Sequence, residues 1–123
     1  MNVQRICDLR LQERLCPNEP YKYLGQEIVE PAQAMALLEA SARHYGLAPP
    51  SMELAKGEPV LADYNPKTNH IRFFGEITKR TIAHEFAHAL THKRGHHEDN
   101  KAHGPEFNRA WREVVHVVGQ TAS

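Results

Sequence analysis

The segment Thr81-Ile82-Ala83-His84-Glu85-Phe86-Ala87-His88-Ala89-Leu90 carries the densest reactive chemistry of this chain. Two histidines stand four residues apart with a glutamate beside the first, the pattern H-E-x-x-H. In an α-helix, residues four apart lie one turn above each other, so both imidazoles can face one metal ion. Neutral imidazole is a borderline ligand that suits Zn²⁺. Glu85 is displaced by about 100° around the helix axis at 3.6 residues per turn. It therefore flanks the ion and can take a proton from a water activated there.

Six of the nine histidines (84, 88, 92, 96, 97 and 103) fall within twenty residues. With nine His and twelve Glu in 123 residues, chance would produce the motif only about 0.06 times. The pattern also sits on a helix wheel that supports it. His84, His88 and Glu85 share one polar arc, while Ile82, Phe86, Ala89 and Leu90 occupy the opposite, core-like arc. A histidine-rich solvated face is the plain alternative.

A catalytic zinc usually takes three protein ligands and leaves one position open. His92 continues the four-residue row, but it stands about 12 Å along the axis from His84 at 1.5 Å per residue. One straight helix cannot bring all three rings to one ion. The metzincin extension would need glycine at 91 and histidine at 94, where this chain has Thr91 and Arg94. His103 is the better candidate. It lies in His103-Gly104-Pro105-Glu106-Phe107, immediately before a helix that Pro105 opens and Phe107 and Trp111 anchor. Glu106 and Glu113 are rival carboxylate ligands, because His₂Glu zinc sets also exist.

These residues need a scaffold. Pro31 suits a first helical position, Met35, Leu38, Ala42 and Tyr45 share a face, and Gly46 ends the helix before Pro49-Pro50. Met52/Leu54 and Val60/Ala62/Tyr64 alternate with polar neighbours, and 70–74 reads as a returning strand after the turn Asn65-Pro66-Lys67-Thr68-Asn69. The expectation is a small antiparallel meander, with strand 70–74 as an edge on which an extended peptide can pair. Thr78 caps a helix running to about His92. A polar loop follows to Gly104. The last helix carries Phe107, Trp111, Val114, Val115 and Val118 on one face. Residues 1–30 fit neither period cleanly.

Composition narrows the setting. At 123 residues the length prior gives one domain over 1–123, and 41% apolar with 24% charged residues argues against a disordered chain. Lys+Arg and Asp+Glu are both 15, so strong nucleic-acid binding is not expected. No apolar run is long enough to span a membrane. The opening residues lack the apolar stretch of a secretory signal. Cys7 and Cys16 are read as free thiols, which suits the cytoplasm. Lys93, Arg94, His96, His97 and Lys101 are read as a solvated loop, and His44, His70 and His116 as half-buried or surface residues. Tyr64, His92, His96 and His97 are candidate donors to a developing oxyanion.

His84-Glu85-Phe86-Ala87-His88 followed by His103-Gly104-Pro105-Glu106-Phe107 resembles the SprT-like zincin metallopeptidases. The likeness is greatest to small single-domain metallohydrolases of actinobacteria and their phages. It covers roughly residues 50–118 and implies zinc ligands at His84, His88 and His103, with Glu85 as general base. It also implies an α+β zincin-like fold: a small antiparallel β-meander packed on an N-terminal helix, the H-E-x-x-H helix and a C-terminal helix. The cysteine-rich zinc ribbon of some members is missing, so their DNA-linked work is not implied. His92 gives a minor likeness to the ImmA/IrrE-type repressor-cleaving peptidases, without a matching downstream carboxylate segment. The expected activity is zinc-dependent hydrolysis of amide bonds in a protein or peptide, by a cytoplasmic enzyme that is a possible monomer. The competing expectation is a zinc-holding interaction module without turnover.

Overall fold

The computed structural model describes residues 28–57, 61–95 and 104–121. In chain order these form α1 (Pro31–Tyr45), β1 (Ser51–Leu54), β2 (Ala62–Asn65), β3 (His70–Phe73), α2 (Lys79–Lys93) and α3 (Pro105–Thr121). Three helices and a three-stranded sheet make the α+β class that the sequence predicts.

Local chemistry sets most boundaries. Pro31 opens α1, and Gly46 closes it at φ 68, a left-handed conformation that costs glycine little. The amide of Leu47 then bonds back to the Ala42 carbonyl at 2.8 Å. The Thr78 hydroxyl caps α2 by accepting from the Thr81 amide at 3.1 Å. Pro105 begins α3, with the Asn108 amide bonded to the Gly104 carbonyl at 3.0 Å. In the β2–β3 turn, the Lys67 amide donates to the Asn65 side chain at 2.9 Å, and Asn69 takes φ 54, which Asn tolerates better than most residues.

The sheet departs from a meander in one strand. β2 pairs antiparallel with β3, Ala62 opposite Phe73 and Asn65 opposite His70, as a hairpin should. β1 pairs parallel with β3, Ser51 opposite His70 and Leu54 opposite Phe73, so the order is β1-β3-β2 and the sheet is mixed. Alternation tells which residues share a face but is identical for both strand directions. Segment 70–74 is therefore the centre of the described sheet. It is hydrogen-bonded on both sides and cannot be an edge.

The register groups Met52-Ile71-Tyr64 in one row and Phe73-Ala62 in the next on the face toward the helices, with Leu54, beside Phe73, 58% exposed at the end of β1. The other face is polar. Arg72 forks onto its cross-strand partner Asp63 at 3.0 and 2.6 Å, and His70 lies between the Ser51 hydroxyl (2.6 Å) and Glu53 (2.8 Å). Helix α2 runs through the middle and packs on α1, α3 and β2. The Val29 amide, bonded to the Ile77 carbonyl at 2.8 Å, ties the approach of α1 to that of α2. The buried face of α1 is Ala34, Leu37, Leu38, Ser41 and Ala42. Met35 and Tyr45, expected in its core stripe, lie at the half-buried rim.

Candidate metal centre

Every residue of α2 from Thr81 to Thr91 is buried. The polar arc is not solvated: His84, Glu85 and His88 are each 0% exposed. Helix α3 supplies the cover. The Phe107 ring lies 5.1 Å from the His84 ring and 4.4 Å from that of His88, and Trp111 meets His84 edge-on at 5.1 Å. The sequence-derived apolar face of α3 is thus packed on the chemistry-bearing face of α2, which overturns the reading of a solvated histidine face.

The two imidazoles are 4.9 Å apart between ring centroids and inclined at 80°. Burying two imidazoles and a carboxylate is costly unless something of matching chemistry sits among them. The donor set fits Zn²⁺, which prefers nitrogen ligands and tolerates a carboxylate nearby. Among the described residues, no three His, Cys, Asp or Glu side chains form a metal-holding group. His103 lies outside the described residues, as do His96, His97, Lys101, Cys7 and Cys16.

Both rival carboxylates have an arginine beside them. Glu113 accepts both arms of the Arg94 guanidinium at 2.9 and 2.7 Å. The carboxylate of Glu106 lies 3.5 Å from Arg109, and its side chain is 42% exposed. His92 is half-buried one turn beyond His88. Of the oxyanion donors proposed from sequence, Tyr64 gives its hydroxyl proton to Asn69 at 2.8 Å.

One group was not found from sequence. Arg94, at the end of α2, also places its guanidinium 5.8 Å from the centre of the Tyr45 ring, and the Glu113 charge acts on the Tyr45 hydroxyl. Arg94 and Glu113 are nineteen residues apart, so no local pattern signals the pair. The hydrogen bond from Arg94 holds the Glu113 carboxyl below its usual range, and the same bond raises the Arg94 guanidinium. Burial first, and the Glu113 charge second, push the Tyr45 hydroxyl up to about 12. A value raised by folding gives stability that is full below the unfolded value, about pH 10 for tyrosine, and lost as pH rises through the folded one. The melting temperature of the wild type should therefore fall more steeply than that of Tyr45→Phe between about pH 10 and pH 12. The difference should be on the order of 1 kcal/mol after solvent screening. Parallel curves would remove Tyr45 from the ledger of alkaline stability.

Residues 59–122 match the model of the SprT-like family. Comparison with curated proteins and with solved structures gives no match. The matched stretch is more than half of the 123-residue chain and contains β2, β3, the buried His84-Glu85-His88 helix and its aromatic cover on α3. The chain belongs to the SprT-like family.

Proposed function

We propose that this chain is a zinc-dependent metallopeptidase that hydrolyses amide bonds of a protein or peptide, with one domain over residues 1–123. The observation that carries the reading is the complete burial of His84, Glu85 and His88 on one helix, with the rings of Phe107 and Trp111 packed against the two histidines. A solvated helix has no reason to bury them, and a purely structural core would favour apolar residues there. Membership of the SprT-like family supports the same chemistry.

His84 and His88 would hold the metal with His103, the histidine of the His103-Gly104-Pro105-Glu106-Phe107 segment. That segment also supports placing the chain with the small single-domain metallohydrolases of actinobacteria and their phages. When bound, zinc supplies Lewis-acid polarisation of the scissile carbonyl and makes water a nucleophile near neutral pH. Glu85 accepts the proton of the attacking water on its carboxylate and returns it to the leaving amine nitrogen. Phe107 and Trp111 keep the histidine rings in a low-dielectric sleeve, where interactions with charge are stronger than in water.

The balanced charge supports a polypeptide substrate over nucleic acid. No helix among the described residues is long and apolar enough to cross a membrane. Together with the two cysteines, this is compatible with a cytoplasmic site of action. The test is metal-dependent turnover. Purified protein should carry about one zinc per chain, as a single three-ligand site requires, and should cleave an unfolded protein such as casein. A chelator should stop cleavage, and added zinc should restore it. Protein without zinc, or cleavage indifferent to chelation, would overturn the reading.

A further inference from the structure

Tyr45, Arg94 and Glu113 lie outside the proposed metal-binding set, yet they join all three helices. Arg94 closes α2 and donates two parallel hydrogen bonds to Glu113 of α3, at 2.9 and 2.7 Å. Tyr45, the last residue of α1, lies under the Arg94 guanidinium at 5.8 Å, and its ring stacks on Phe86 at 6.1 Å. Phe86 sits between the two histidines in the H-E-x-x-H turn.

Helices α2 and α3 are thus tied at two places by different chemistry. One is the aromatic contact, where Phe107 and Trp111 meet His84 and His88. The other is the charged fork, where Glu113 stands two residues beyond Trp111 and Arg94 six residues beyond His88. A single ring contact lets one helix roll or slide on another, because apolar contacts are not directional. A planar guanidinium–carboxylate fork is directional and fixes both separation and roll. Arg94 and Glu113 side chains are 36% and 38% exposed. Exposed ion pairs contribute little to stability, so bulk stabilisation is a poor account of three residues converging here.

We infer that Arg94, Glu113 and Tyr45 are positioning residues for the metal centre. They fix α3 on α2 so that Phe107 and Trp111 hold the His84 and His88 rings in their ligating orientation. The inference rests on the proposed zinc site and deepens it. Groups that orient ligands without touching the metal typically change affinity by about 10–100-fold.

The test is zinc affinity by competition with a chromophoric chelator, on the full chain, with thermal unfolding and circular dichroism in parallel. Arg94→Ala and the nearly isosteric Glu113→Gln should each bind zinc about tenfold more weakly, with the fold kept and one zinc bound at saturation. Tyr45→Phe should show a smaller loss. The double swap Arg94→Glu with Glu113→Arg should recover most of the affinity, since the fork is rebuilt with its ends exchanged. Wild-type affinity in both single variants overturns the inference. A swap no better than the singles also overturns it, because Glu113 would then act in its own right, as a ligand or a structural group. Failure of the underlying site reads out separately: His88→Ala would keep its zinc, whatever the fork variants do.

Discussion

Replacing Glu85 with glutamine should leave zinc bound and the fold intact, while lowering hydrolysis by about 10²-fold or more, the usual loss on removing a general base. Glutamine has nearly the shape of glutamate, so the buried space beside His84 stays filled. It cannot accept and return a proton, so the step assigned to Glu85 disappears. The measurement pairs metal analysis with turnover of an unfolded protein. Loss of zinc from the variant would make Glu85 a ligand or structural prop and would sink the mechanism. Unchanged turnover would point to a different base. The outcome also separates the enzyme from a zinc-holding interaction module, in which this substitution would change nothing measurable.

The sequence made some levels of this structure legible and hid others. Helix ends were readable because their signals are local. Pro31, Gly46, Thr78 and Pro105 each act through their own backbone geometry, and each stands where a helix begins or ends. The H-E-x-x-H spacing was readable for the same reason, since one turn of helix contains it. Strand alternation located β1, β2 and β3 but not their order, because the same alternation serves parallel and antiparallel neighbours. Hence 70–74 reads as an edge from sequence and is central in the fold.

The environment of the site was hidden more deeply. A helix wheel divides α2 into a polar and an apolar arc, yet the helix is buried on both. What decides this is the apolar face of α3, whose docking partner no period in the sequence reveals. The Arg94–Glu113 fork belongs to the same level. From sequence Arg94 reads as part of a solvated loop and as the occupant of the metzincin histidine position, whereas it caps α2 and pairs with Glu113, which reads from sequence as a rival ligand. Their pairing comes from tertiary packing, which turns the Glu113 carboxylate to Arg94.

The identity of the third ligand is tested most directly at His103, Glu106 and His92. His92 is one turn past His88 on a continuous helix, and about 12 Å of axial rise separates it from His84. Glu106 has a 42% exposed side chain beside Arg109, in the first turn of α3, where a carboxylate serves the positive end of the helix. His103 precedes Gly104 directly, and the described chain resumes at that glycine. Three residues further on, the Phe107 ring lies 4.4 Å from the His88 ring, so this end of α3 stands at the histidine pair. His103→Ala should therefore weaken zinc binding by more than about 100-fold, beyond the range of groups that only orient ligands. His92→Ala and Glu106→Ala should keep the ion. Chelator competition on the three variants, with elemental analysis of each, decides among them. Zinc retained by His103→Ala but lost from Glu106→Ala would mean a His₂Glu site, and the ligand set carried by the His103-Gly104-Pro105-Glu106-Phe107 segment would fall with it.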